Sequence, residues 1–123
     1  MLKNILIVFI GGGTGSVFRY MTSVVTHKYF SGIFPLATFL VNMIGCLLIG
    51  IITGLYIKTS LTNPDTRLLL VAGFCGGFTT FSTFAQENIN LIQMDQAPTA
   101  ILYTVTSVIV CLAFAWLGMS LTK

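Results

Sequence analysis

Phe81 and Phe84 stand three residues apart, as do Thr80 and Thr83, and Thr83 stands four before Glu87. On a helix these spacings put aromatic rings on one face and hydroxyls on the adjoining one. An aromatic ring has a negative face and a positive edge. Ring edges, hydroxyl protons and an amide N–H can together solvate a small anion without a fixed positive charge. A cation would instead meet ring faces and carbonyl oxygens. An amide is at hand in Asn42, inside an otherwise apolar run, with Thr38 four residues before it and Gly45 next along the same face. Asn42 is equally well read as glue between helices or as a pathway ligand. Tyr103 and Ser107 also share a face, near Thr104 and Thr106, and ordinary hydrogen bonding between helices is their plainer reading.

Catalytic chemistry finds little support. The chain has one histidine, no Ser/His/Asp or Cys/His constellation, and no pair of carboxylates at useful spacing. Glu87 and Asp95 are eight residues apart, and Asp95 falls in a turn. An enzyme is not expected. Cys46, Cys75 and Cys111 lie in three separate apolar runs without CxxC or Cys/His spacing, and read as small buried side chains. His27, beside Lys28 near a helix end, reads as an interfacial residue.

These residues must be held by elements built for hydrocarbon. Of the 123 residues, 55% are hydrophobic and only 7% charged, against about 25% charged in a soluble domain. A net charge of +3 spread over the chain makes no nucleic-acid footprint, which needs a basic patch. The class is an all-α integral membrane protein in a lipid bilayer, multi-pass in the cell membrane. Four helices are expected, at about 4–26, 36–57, 68–94 and 99–121, forming one domain over 1–123. The second is free of charge for 22 residues, or ~33 Å of helix at ~1.5 Å per residue, which spans a bilayer. The first begins like a signal peptide, but continues through its glycines without a convincing cleavage site and is read as retained. Polar loops are expected at 27–35 and 58–67, and a tight turn at 95–98. Trp116 reads as an interface anchor.

The third run holds the strangest stretch, GFCGGFTTFSTF at 73–84, with three glycines, four phenylalanines, three threonines and a serine in twelve residues. Hydroxyls in hydrocarbon are costly unless they find partners. A helix break at Gly76–Gly77 would free carbonyls from Gly76 to Thr79 for a metal cation or for capping a neighbour. Gly11/Gly15, Gly50/Gly54 and Gly73/Gly77 each make a GxxxG pattern, which favours tight packing and self-association. Arg19, inside the first span, should snorkel, pair, or face a polar interior.

The segments GGGTGSVFRY (11–20), ATFLVNMIGCLLIG (37–50) and GFCGGFTTFSTFAQE (73–87) resemble those of the Fluc/CrcB family of small fluoride channels, and the likeness runs along nearly the whole chain. Ala37 stands where that family often has glycine. The resemblance implies passive, fluoride-selective export through an antiparallel, dual-topology homodimer. It also implies two pores and a structural sodium ion at the dimer centre. Carried onto this sequence, it makes Phe81 and Phe84 the pore-lining rings and Asn42 the pore amide. Ser82 and Thr83 join a hydroxyl track, with Tyr103 and Ser107 beside the pore. Backbone carbonyls of Gly76 and Thr79 would hold the sodium, Arg19 would aid anion access at a vestibule, and Thr38 and Glu87 would line the polar route.

Charge counting does not by itself give dual insertion. Lys3, Lys58, Arg67 and Lys123 fall on one side and Lys28 on the other, which favours cytoplasmic termini. Placing Arg19 on the lesser side narrows this to four against two. Two other functions compete. A proton-coupled small multidrug-type exporter needs a buried carboxylate, typically in the first span, and this first span has none. A non-transporting membrane subunit would use the polar faces only as glue.

Overall fold

A computed structural model of the chain describes residues 1–59 and 63–122. Every regular element among them is helical: α1 (Leu2–Tyr29), α2 (Leu36–Thr59), α3 (64–78), α4 (Phe81–Gln93) and α5 (Ala97–Leu121). Four stretches are long and apolar enough to cross a membrane, with α3 and α4 together forming the third, Pro64–Gln93. The chain is a multi-pass membrane protein whose third span is interrupted. Apolar side chains along α1, among them Leu6, Phe9, Val17 and Val24, are exposed on the single chain, as hydrocarbon-facing positions should be.

The helices run further than hydropathy alone places them. α1 continues through His27 and Lys28 to Tyr29, and the Phe30 N–H closes it onto Thr26 O. Basic groups in a last turn suit the negative end of the helix dipole. α3 starts inside the expected 58–67 loop. Asn63 caps it by accepting the Asp65 N–H at 3.0 Å, and Pro64 sits where its missing N–H does no harm. Residues 60–62 of that loop, and Lys123 of the charge count, lie outside the described residues. Lys3 pairs with Asp65, fixing the N-terminus and the start of α3 at the same end. At the opposite end Asp95 takes a left-handed conformation (φ 58°), and the Gln96 N–H bonds Leu91 O, turning α4 into α5.

α1 packs chiefly on α3, and α2 on α5. The GxxxG glycines make both contacts. A Cβ on Gly73 would lie 3.0 Å from the Gly11 Cα, and one on Gly11 only 2.5 Å from Leu69 O. A Cβ on Gly50 would meet the Ala115 carbonyl carbon at 2.9 Å, and one on Gly118 the Ile51 nitrogen at 2.9 Å. These pairs are therefore used inside one chain. That accounts for the tight packing expected of them, and leaves them giving no argument for self-association.

The expected break at Gly76–Gly77 is displaced. Leu68–Cys75 is wound as a π-helix, Gly76–Phe78 is regular α-helix, and the chain leaves helical geometry at Thr79 (φ −77°, ψ 158°) and Thr80 (φ −151°, ψ 124°). The glycines serve contact instead: a Cβ on Gly77 would fall 2.8 Å from the Gly12 Cα. Thr80 opens α4 as its N-cap, accepting the Thr83 N–H on Oγ1 at 3.2 Å.

Candidate functional site at the interrupted helix

The break is stable because its loose backbone groups find partners from other helices. Asn42 on α2 donates from Nδ2 to Thr80 O at 3.0 Å and accepts the Thr80 N–H on Oδ1 at 2.8 Å. A single amide thus satisfies both main-chain groups of one extended residue. Asn42→Ala would orphan both. We expect it to destabilise the protein by about 2–4 kcal/mol, visible as a lower midpoint in a size-exclusion thermal-stability series. No loss in Asn42→Ala would show that the clamp is dispensable.

The diverted amides leave two carbonyls exposed to new partners. In a continuous helix Gly76 O would accept from the Thr80 N–H, which instead goes to Asn42. Thr79 O would accept from the Thr83 N–H, which instead goes to the Thr80 hydroxyl. Gly77 O receives the Ser16 hydroxyl at 3.3 Å, and Thr79 O receives Arg19 Nη1 at 3.3 Å. Arg19 meets two of its three expected fates: it pairs with a carbonyl at the break and it faces a polar recess. Neutral, hard carbonyl oxygens of this kind suit a weakly demanding cation such as sodium. Gly76 O receives no side-chain donor among the described residues, while Thr79 O accepts from Arg19.

Two recesses flank the break. One, of about 560 Å³, is polar: Arg19, Ser23, His27, Thr38, Thr83 and Glu87 line it, and it opens beside the end of α1 and the start of α2. Arg19 therefore lies towards the end of the molecule that carries Lys28. In this recess Glu87 accepts hydrogen bonds from Thr38 Oγ1 and from Tyr103 OH, each at 2.7 Å. Tyr103 is fully buried, its ring 5.0 Å from Phe84 and 5.3 Å from Phe34. The protons of Thr38 and Tyr103 are thus committed to a carboxylate.

The second recess is a groove of about 370 Å³ on the other side of the break, lined by Asn42, Gly76, Thr79, Phe81, Phe84 and Ser107 among others, with no charged side chain among the described residues. The Phe81 and Phe84 rings stand 5.5 Å apart and tilted by 40°. Phe81 is 80% exposed on the single chain. Ser107 is buried, and its hydroxyl has no hydrogen-bond partner among the described residues. Ser82 is exposed, its hydroxyl 3.4 Å from that of Thr80, and Thr83 accepts from the Thr80 hydroxyl at 3.1 Å.

The sequence-derived set is therefore split in two. Arg19, Thr38, Thr83 and Glu87 share the polar recess, while Asn42, Phe81, Phe84, Ser107, Gly76 and Thr79 share the groove. Tyr103 stands between them through Glu87 and Phe84, and Ser82 lines neither.

A match to the family described as CrcB-like protein, Camphor Resistance (CrcB), covers residues 6–119. The chain belongs to the CrcB family. Curated relatives span it end to end. A Flavobacterium psychrophilum protein named fluoride-specific ion channel FluC is 44% identical, over 99% of this chain and 98% of its own. One of the same name from Chlorobaculum tepidum is 46% identical, over 100% of this chain and 97% of its own. A third, from Phocaeicola vulgatus, is 39% identical, over 99% and 100%.

In this CrcB chain two residues matter more than their sequence suggested. Thr80 lines both recesses and is the pivot of the break. Threonine is a favoured N-cap type, but position 83 holds no Glu or Gln to complete a capping box, so the local sequence marks Thr80 only weakly. Asn88 accepts the Thr104 hydroxyl at 2.9 Å, tying α4 to α5, and nothing in the local pattern marks it.

Proposed function

We propose that the chain is a passive, fluoride-selective channel that lowers cytoplasmic fluoride across the cell membrane. The observation that carries this reading is the uncharged groove, where two phenylalanine rings meet a buried serine hydroxyl that has no partner among the described residues. Fluoride holds its water tightly, so a dry passage must replace that shell with donors. Ring edges, the Ser107 proton and the second N–H of Asn42 are such donors. A lysine or arginine in the groove would hold the anion too firmly for fast exit. Arg19 lies in the other recess, where on this reading it would gather anions at a vestibule. Curated relatives named as fluoride-specific ion channels support the choice of ion.

On the same reading the working unit is an antiparallel homodimer with two pores. The open groove and the exposed Phe81 ring support a second copy closing each pore. Gly76 and Thr79 carbonyls from both copies would hold one central sodium ion, which supplies positive charge to oxygens that the break has stripped of their helical donors. Ser82, Thr83, Tyr103, Thr38 and Glu87 would border the polar route.

The competing exporter would move protons on a buried carboxylate, and Glu87 is the candidate. Glu87→Gln is therefore the deciding substitution. In liposomes loaded with potassium fluoride, a potassium ionophore should release fluoride through the channel by balancing charge. The variant should retain most of that flux, because Gln still offers its carbonyl to Thr38 or Tyr103. Abolished flux, with the protein still folded, would favour the proton-coupled reading.

A further inference from the structure

Cys46, Cys75 and Cys111 come from three different helices, yet all three line the groove that holds Phe81, Phe84 and Ser107. Cys46 sits one helical turn after Asn42 on α2, and Cys111 one turn after Ser107 on α5. α2 and α5 pack closely through Gly50 and Gly118, which brings the two faces together. All three cysteines are free, Cys46 and Cys111 partly accessible and Cys75 buried. Gly50 lies against Ala115 and Gly54 against Met119, so α2 and α5 run in the same direction. Cys46 and Cys111 each stand four residues before the first of these contacts, level with one another along the groove. The described residues hold no group of three metal-ligating side chains, so a tetrahedral zinc-type centre is out of reach.

We propose that Cys46 and Cys111 form a two-sulfur binding site for soft, thiophilic metal cations, facing the groove. Sulfur ligands select soft ions over hard ones. Charge then selects among the soft ions. A divalent ion such as Hg²⁺ displaces one proton from each thiol and leaves a neutral S–Hg–S unit, two protons passing to solvent. A monovalent ion such as Ag⁺ held by two thiolates leaves a net negative charge in a groove with no charged lining residue among those described, which is costly. Mercury(II) is therefore the preferred ligand. Bound there, it would obstruct the path past Phe81 and Phe84. This obstruction rests on the channel reading, whereas the binding itself does not.

The test titrates purified full-length protein with mercuric chloride up to one equivalent per chain. Near-ultraviolet thiolate-to-mercury absorption, released protons and remaining free thiols are followed together. One equivalent should consume two thiols and release two protons. Cys46→Ser and Cys111→Ser should each lose the two-thiol signature, and Cys75→Ser should keep it. Cys46→Ala and Cys111→Ala serve where the serine variants misfold. One thiol consumed per mercury, or an unchanged signature in the Cys46/Cys111 double variant, would overturn the site. In liposomes, the ratio of fluoride flux with and without one equivalent of mercury should fall at least tenfold for the unmodified chain and return to near unity in the double variant. Two-thiol binding without any fall in that ratio would overturn the obstruction and leave the metal site standing.

Discussion

Phe81→Ile should abolish fluoride flux while leaving the protein folded. The ring is 80% exposed on the single chain, so trimming it removes little packing from the fold. Isoleucine keeps an apolar side chain but removes the positively polarised ring edge and its 5.5 Å partnership with Phe84. We expect flux to fall at least about a hundredfold, equivalent to ~2.8 kcal/mol of lost ion stabilisation. The measurement is fluoride efflux from liposomes, read beside the elution volume and thermal midpoint of the same preparation. Undiminished flux would remove Phe81 from the pathway. Lost flux together with a lost fold would contradict the statement that the ring adds little packing to the single chain.

Gly73→Leu should have the largest effect on the fold itself. The added Cβ alone would sit 3.0 Å from the Gly11 Cα, and its neighbours there are backbone, which cannot swing aside as a side chain can. α1 and α3 would have to separate along their length, removing the support that Ser16 and Arg19 give to carbonyls at the break. Overpacking of this kind costs about 3 kcal/mol or more where no relaxation is available. The variant should be recovered as aggregate. Gly13→Ala is the matched control, because a Cβ there meets nothing within 4 Å. Equal yields of monodisperse protein from both variants would show that close approach of these helices is not what requires glycine.

Much of the architecture is written locally. Four apolar runs, two of them free of charge, give four spans, because hydrocarbon admits little else in backbone terms. The interrupted third span was also legible, but its position was not. Gly76–Gly77 reads as a breaker when taken alone, yet Gly77 is needed for contact with Gly12 on another helix. The residues that do leave the helix, Thr79 and Thr80, are held by Asn42 on α2. No window along the sequence contains that partner. The same holds for Glu87, whose two donors come from α2 and α5, and for the cysteines, which are scattered in sequence and gathered in space. Helical spacing does predict which residues share a face, as with Thr38 and Asn42, whose partners Glu87 and Thr80 lie on the same neighbouring span. Which face meets which is decided by packing between glycines.

The central claim is that the uncharged groove conducts fluoride down its gradient and excludes larger anions. It is tested most directly by efflux from liposomes containing the purified protein alone, followed with a fluoride electrode and, in parallel, a chloride electrode. Rapid fluoride release is expected on addition of a potassium ionophore, with no chloride release above that of protein-free vesicles. Absent fluoride release, or chloride release at a comparable rate, would contradict it.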